Sequence, residues 1–266
     1  MSKTARPLLS GLFLFISIAA SAQQFDASAE QQFVVLLNQE RARAGLPRLN
    51  IDDHLTQAAR RHSTLMAKSK QLSHQLRGEL ALQKRLADTG LRFDNDAENV
   101  AYDYSVDAAH KGLMNSPPHR ENILSDKYNT VGVGVVWVGD VLWVTEDFAN
   151  RLESYSENDA ENAIISSFLR ERRRAHQSRA QVVRMSELQR LACSMAQHGK
   201  LDARAPLAIN NVDSTVVYTA GDPAELPPNA IKMAHDPNVQ RFSVGACFAR
   251  TDRYPAGVWW IVIVFL

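Results

Sequence analysis

The sequence predicts an α+β fold in which one unit, several helices followed by a hairpin of strands, occurs twice. Four segments between residues 28 and 116 carry helix signals, and residues 130–149 are rich in β-branched residues around a tight turn. Similar segments return in the second half of the chain. The chain of 266 residues is long enough for one large domain or two modest ones.

The first two helices have local signals for where they start and stop. Ser28 and Gln31 form a capping box for the first helix, and Gly45 is a natural C-terminal stop. Asp52 or Asp53 can cap the second helix. Apolar residues follow each cap at intervals of three and four, which predicts helices rather than strands.

Two further helices are predicted before the hairpin. The third covers about 79–89, and the polar residues 91–97 after it are predicted to form a loop. A short extended segment is predicted to begin at Glu98-Asn99-Val100-Ala101. Ser105 then caps the fourth helix.

A proline pair, Pro117-Pro118, ends the fourth helix, because proline lacks an N–H and restricts the residue before it. We expect the pair to hold His119 on a turn between this helix end and a buried strand over 130–138. A second strand over 141–149 follows through Gly139-Asp140, which is a two-residue hairpin signal.

The N-terminus predicts export. A basic start and an apolar run over residues 8–19 precede the small residues Ala20-Ser21-Ala22, which is the pattern of a secretory signal peptide over 1–22. Cleavage after Ala22 would release a secreted or periplasmic protein. No later segment approaches the roughly 20 apolar residues of a membrane helix, so no transmembrane segment is expected.

Composition limits the function classes. The 30 basic and 29 acidic residues give no general attraction to nucleic acid, which is not expected as a partner. Cys193 and Cys247 are the only cysteines. They predict one disulfide in an oxidising compartment, with two buried free thiols as the alternative, and they are too few for a thiolate-rich zinc site.

The second half parallels the first, which predicts an internal repeat. We expect a first domain over 23–152 and a degenerate, structural second domain over 153–266. The parallel segments are 29–44 with 160–175, 66–74 with 195–203, and 130–150 with 243–266.

The second copy lacks the polar residues of the first. On this alignment Ala203 takes the place of His74, and Ile263 takes the place of Glu146. No Glu-Asn pair matches Glu98-Asn99. This asymmetry predicts a functional first copy and a structural second one.

Six motifs follow one another over about 28–150 and together resemble the CAP superfamily, which includes cysteine-rich secretory proteins, antigen 5 and plant pathogenesis-related proteins. The similarity is greatest to short bacterial members. It implies a three-layer α-β-α sandwich with a cleft lined by two histidines and acidic residues, which in several members binds a divalent metal such as zinc. The motifs are LLNQERARAGLPRLNIDDHLTQAARRHSTLMA, LSH, AENVA, MNSPPHRENIL, YNTVGVGVVW and WVTEDF.

The resemblance implies that His74, Glu98 and His119 line this cleft, with His74 and His119 as ligands for zinc or another divalent cation. Glu98 is then a candidate catalytic base or an orienting group. The second glutamate of animal and plant members is absent from residues 113–116. From spacing alone, separations of 24 and 21 residues match no short metal motif, and a His–Glu–His cluster that only braces the sandwich is the alternative.

Glu146 is the fourth cleft candidate. The period-two rule puts it on one face of its strand with Leu142, Val144 and Phe148, where a carboxylate needs a partner. We hypothesise that Glu146 turns toward the cleft and partly replaces the missing glutamate. The alternatives are that the polar face of the strand is the inward one, or that Glu146 lies exposed at a strand end.

Three functions are compatible with this sequence. The first is an exported, non-enzymatic or weakly enzymatic protein whose cleft binds a divalent metal or a small ligand. The second is a metal-dependent hydrolase of peptides or cell-envelope material. The third is lipid or sterol binding, which some members of the superfamily are reported to perform.

Overall fold

A computed structural model describes residues 25–266, and the predicted signal peptide over 1–22 lies outside these described residues. The chain forms two four-stranded mixed sheets, each packed between helices, as the predicted α+β sandwich requires. Between residues 25 and 266, no helix is both long and apolar enough to cross a membrane.

The N-terminal half contains the first sheet, in the order β1-β3-β4-β2. The predicted first, second and fourth helices and the hairpin are confirmed. The elements are α1 Ala27–Arg43, β1 Asn50–Ile51, α2 Asp53–Ser69, α3 Leu82–Ala87, β2 Phe93–Asp103, α4 Val106–Asn115, α5 Pro117–Ile123, β3 Thr130–Val138 and β4 Val141–Arg151.

Two local expectations for this half were wrong. Asp26, not Ser28, caps α1, by accepting a hydrogen bond from the Ala29 amide. The strand β2 begins at Phe93, inside the predicted loop, because this buried residue pairs with Arg151 across the sheet. Such pairing between distant segments leaves no local signal in the sequence.

The proline pair was also misinterpreted. It does end α4, but Pro117 also begins the new helix α5, so His119 lies on a helix and not on a turn. Proline is well tolerated in the first turn of a helix, where its missing N–H would have no helical partner and its φ is already suitable.

Two glycines of β3 allow α2 to pack directly on the sheet. A Cβ added at Gly132 would lie 2.1 Å from the Thr56 amide nitrogen, and one at Gly134 would lie 2.2 Å from the Arg60 amide nitrogen. Any side chain at either position would displace the α2 backbone. The Val-Gly-Val-Gly sequence of β3 therefore determines how closely α2 approaches, and α2 carries part of the site described below.

The C-terminal half contains the second sheet, in the order β5-β7-β8-β6, which repeats the order of the first. It has no helix corresponding to α4. Its elements are α6 Glu157–Arg174, β5 Gln181–Val182, α7 Ser186–His198, a short 3₁₀ helix Ala205–Ala208, β6 Ser214–Ala220, α8 Pro228–His235, β7 Arg241–Ala249 and β8 Val258–Phe265.

Details of packing also recur between the halves. Gly245 of β7 repeats the close approach of Gly132, because a Cβ there would lie 2.3 Å from the Leu188 carbonyl carbon of α7. The first helix of each half buries one arginine, Arg41 or Arg172, whose guanidinium donates to three backbone carbonyls. The acceptors are Pro47, Ile123 and Ser125 for the first and Ser178, Ala234 and Asp236 for the second. These parallels support the interpretation of the C-terminal half as a second copy.

A disulfide links two elements of the C-terminal half, and an arginine connects the two halves. Cys193 of α7 and Cys247 of β7 form a disulfide, with their Cα atoms 5.1 Å apart. Arg92 joins the halves: it donates to the carbonyls of Glu153 and Gly221 at 2.5 and 3.0 Å, and its guanidinium lies 4.4 Å from the centre of the Phe248 ring.

Candidate functional site

Glu98 is the centre of a polar cluster on the edge strand β2. Its side chain is only 2% exposed, and Oε1 lies 3.0 Å from Nδ1 of His74. The His74 side chain, in the loop after α2, is 59% exposed. A buried carboxylate thus holds one ring nitrogen of an exposed imidazole and leaves Nε2 directed away from that bond.

Arg85 of α3 holds the other side of Glu98. Its Nη2 donates to Glu98 Oε2 at 2.7 Å and to the His74 backbone carbonyl at 3.2 Å. Burial alone would raise the pKa of Glu98, but the His74 hydrogen bond and the charges of Arg85 and His62 outweigh it and lower that pKa. Glu98 is therefore an ionised carboxylate with hydrogen bonds on both oxygens.

His62 of α2 completes the buried side of the cluster. Its Nδ1 lies 2.8 Å from Glu79 Oε1, and its Nε2 lies 2.8 Å from the Ser73 carbonyl and 3.8 Å from Glu98 Oε2. Both close partners are hydrogen-bond acceptors, one a carboxylate oxygen and the other a backbone carbonyl. The position of His62 on the buried face of α2 makes it a support of the loop that carries His74.

His119, on α5, lies close to His74. The ring centroids are 6.3 Å apart, and the ring planes are inclined at 48°. Burial and the nearby His74 lower the pKa of His119, whereas the hydrogen bond to Glu98 raises the pKa of His74. No hydrogen bond within residues 25–266 occupies the ring nitrogens of His119 or Nε2 of His74. The structure thus brings the side chains of His74, Glu98 and His119 close together.

Glu146 lies on the opposite face of the sheet from Glu98. Asn99 Nδ2 donates to Glu146 Oε2 at 3.0 Å and to the His119 backbone carbonyl at 3.1 Å, and Asn122 donates to Asn99 Oδ1 at 2.9 Å. Glu146 is fully buried, which raises its pKa to about 7. It therefore stands behind α5 and does not take the place of a second glutamate beside His74 and Glu98.

Asp147 is a buried acid that sequence reasoning missed. It lies opposite Glu98 in the β2–β4 register, and neither of its carboxylate oxygens has a hydrogen-bond partner in the described part of the chain. Burial and the negative charge of Glu98 raise the pKa of Asp147 well above its usual range. Its proton lets two acids lie side by side without two like charges.

The donor set does not form a three-residue metal centre. Among residues 25–266, three potential ligand atoms lie within 4.8 Å of one another only at Glu157, Cys193 and Cys247, where both sulfurs belong to the disulfide. The free donors of the cleft are the two imidazoles, with Glu98 bonded to one of them. This fits a site with two histidine ligands and a carboxylate that orients one of them.

The second sheet has no equivalent cluster. Gly132 pairs with Asp147 in the first sheet, and the corresponding Gly245 pairs with Val262 in the second. By this register Ile261, and not Ile263 as predicted, stands in the place of Glu146. The counterparts of Glu98 and Asp147 are Val217 and Val262, and those of Asn99 and Glu146 are Tyr218 and Ile261.

A polar cavity of about 630 Å³ shares no residue with the cluster. Its lining includes Asn50, His54, Arg92, Asn129 and Arg151. The cluster around Glu98 is therefore distinguished by its buried charges and hydrogen bonds and not by a large cavity.

Residues 34–148 match the Cysteine-rich secretory protein family, CAP. The family model thus covers the region over which the motifs predicted a CAP domain. Two curated relatives, both from Bacillus subtilis, are similar over this region. The uncharacterized membrane protein YlbC is 33% identical over 131 residues, which is 48% of this chain and 36% of YlbC. The uncharacterized protein YkwD is 31% identical over 132 residues, which is 49% of this chain and 51% of YkwD. The match thus spans about a third to a half of these relatives.

Solved structures give similar partial matches. An extracellular protein containing an SCP domain from Bacillus anthracis is 31% identical, with a TM-score of 0.43, over 46% of this chain and 40% of that one. A cysteine-rich secretory protein from Staphylococcus aureus is 25% identical, with a TM-score of 0.38, over 46% of this chain and 39% of that one.

Proposed function

We propose that this chain is an exported CAP-domain protein whose His74–His119 pair binds a divalent transition-metal ion such as zinc. The observation that carries the proposal is the exposed His74 imidazole, fixed through Nδ1 by buried Glu98 and facing a second imidazole. Neutral imidazole is a preferred zinc ligand, and a carboxylate on the far nitrogen fixes the tautomer and ring orientation of a ligand histidine.

The hydrogen bonds of Glu98 favour binding over catalysis. A general base needs a free oxygen within reach of the proton that it removes. Here Oε1 lies against His74 and Oε2 accepts from Arg85. Glu98 therefore suits the orienting role, and a bound ion would supply Lewis acidity toward an oxygen-bearing ligand. Two protein ligands leave coordination positions for such a ligand or for water.

Two features support export. The predicted signal peptide supplies the route, and the Cys193–Cys247 disulfide is the kind of bond that persists in an oxidising compartment. A divalent metal ion in such a compartment would reach His74 directly from solvent, because that side chain is largely exposed.

Equilibrium dialysis against zinc, followed by elemental analysis, tests the metal proposal. The mature chain is compared with a His74→Ala/His119→Ala double variant, and a His54→Ala/His198→Ala double variant is the matched control because both of its histidines are exposed. We expect about one zinc ion per chain in the wild type and the control, and none in the cleft variant. Equal zinc content in the cleft variant and the wild type, or no zinc in the wild type, would overturn the proposal.

A further inference from the structure

We propose that the C-terminal half positions the metal-binding cleft by holding α3 with the loop between β7 and β8, residues 250–257. The functional part of this inference rests on the proposed zinc site. Arg250 is the positioning residue: it acts on the cleft through α3 and does not touch His74 or Glu98.

The first support is a set of hydrogen bonds across the junction. Arg250 Nη1 donates to the Ala87 carbonyl at 2.6 Å, and Nη2 donates to the carbonyls of Gly90 and Leu91 at 2.9 and 3.3 Å. These carbonyls lie at and just beyond the C-terminal end of α3, where a helix leaves acceptors without helical partners and where a cation is favoured. Arg250, which belongs to the C-terminal half, therefore caps the C-terminal end of α3.

The second support is apolar packing by the same loop. Ala256 is buried and joins the hydrophobic cluster that contains Leu86 and Ala87 of α3. This residue comes from the C-terminal half, while the other members of the cluster come from the N-terminal half. The loop thus contacts α3 through both polar and apolar groups.

The helix α3 needs such support. It has six residues, and no side chain caps its N-terminus. A helix of this length is not stable alone, since nucleation costs more than its few hydrogen bonds return. Contacts with the rest of the protein therefore determine whether α3 stays ordered.

The position of α3 determines the position of Arg85, and Arg85 holds the cleft. One guanidinium nitrogen of Arg85 bonds both to Glu98 and to the His74 backbone. Contacts thus lead from Arg250 through α3 and Arg85 to Glu98 and His74. The first hairpin, joined by Gly139-Asp140, has no comparable loop. The longer loop of the second hairpin extends from the C-terminal half to α3 in the N-terminal half.

The test uses Arg250→Ala in the full mature chain, with Arg253→Ala as the matched control. Arg250 and Arg253 are both exposed arginines of the same region, but Arg253 lies over Tyr254 within its own loop. Hydrogen exchange is measured by mass spectrometry on peptides covering 71–92, and zinc affinity is measured by calorimetry. Arg250→Lys, which keeps the charge but cannot reproduce all three bonds, is a partial rescue.

We expect Arg250→Ala to exchange faster in residues 71–92 alone and to bind zinc about threefold to tenfold more weakly, while Arg253→Ala matches the wild type. In an Arg85→Ala background the Arg250 change should have no further effect on zinc affinity, because both act through the same contact. Unchanged exchange in 71–92 would overturn the inference, and so would additive losses of affinity.

Exchange data also separate the two proposals. If the wild-type chain binds no zinc, the proposed function fails, while faster exchange in Arg250→Ala still establishes that the loop orders α3. If zinc binds and Arg250→Ala leaves its affinity unchanged, the metal site stands and the positioning role fails.

Discussion

At the scale of single residues, the site depends on one carboxylate buried beneath an exposed imidazole. Glu98 lies between His74 and Arg85, and Asp147 lies beside it without a hydrogen-bond partner. A buried carboxylate needs charged or hydrogen-bonding partners, and His74 and Arg85 supply them for Glu98. The arrangement fixes His74 while leaving its outer nitrogen accessible.

Glu98→Gln should weaken zinc binding about tenfold, the usual effect of removing a carboxylate that orients a ligand histidine. An amide cannot accept a charge-assisted bond from Arg85 and His74 together. Calorimetric titration at one pH checks this, with the exposed Glu121→Gln as control. Affinity of Glu98→Gln within twofold of the wild type would refute the orienting role.

Glu146→Gln should stabilise the protein more at pH 8 than at pH 5. Burial raises the folded-state pKa of Glu146 to about 7, so its folded form keeps its proton where the unfolded chain has lost it. Stability is then lost as pH rises from the ordinary carboxyl pKa to about 7. The advantage of the variant should grow by about 2 kcal/mol between these pH values.

Denaturant unfolding at both pH values measures this difference. A stability change that is the same at pH 5 and pH 8 would show that Glu146 titrates normally in the folded protein. Both measurements are made without zinc, because Asn99 contacts Glu146 and also the backbone of His119.

Sequence motifs predicted that His74, Glu98 and His119 lie at one site, but they did not indicate Arg85 or Asp147. Arg85 is one of many arginines, and nothing in its neighbourhood distinguishes it. Asp147 becomes significant only when strand pairing puts it beside Glu98, 49 positions earlier in the chain. Residues that act through tertiary contacts leave no local pattern.

At the scale of elements, local signals predicted most helices and the hairpin, because caps and tight turns depend on neighbouring residues. They failed at Phe93, where pairing with a distant strand begins β2, and at Pro117, which begins the additional helix α5. The close contact of α2 with β3 is a further tertiary feature that the glycines of β3 make possible.

Gly132→Ala should destabilise the protein by about 3 kcal/mol, because its Cβ would meet the α2 backbone and neither element can move freely. Gly112→Ala is the control: it lies in α4 with nothing within 4 Å and should be neutral or slightly stabilising. Urea denaturation of both variants provides the measurement. Equal stability of the two variants would mean that α2 adjusts without cost.

At the scale of the whole molecule, the two halves form one assembly through Arg92 and Arg250. The sequence predicted an internal repeat, since the parallel segments keep their apolar frame, and the two sheets have the same strand order. The junction was not visible, because both arginines bind backbone carbonyls, which any residue supplies.

Arg92→Ala should uncouple the unfolding of the two halves. The variant loses two hydrogen bonds to the carbonyls of Glu153 and Gly221 and the stacking on Phe248. Differential scanning calorimetry should show one transition for the wild type and for the exposed control Arg77→Ala, and two for Arg92→Ala. A single, unshifted transition in Arg92→Ala would contradict a coupling role.

Of the eight histidines in the chain, His74 and His119 are the two that we propose to bind the metal. Two-dimensional ¹H–¹⁵N spectra of the histidine rings, recorded during a zinc titration of the wild-type chain, test this assignment. We expect saturable shifts at Nε2 of His74 and at a ring nitrogen of His119, while His54 and His198 stay unchanged and Nδ1 of His74 keeps its bond to Glu98. Zinc-dependent shifts confined to other histidines, or none at all, would contradict it.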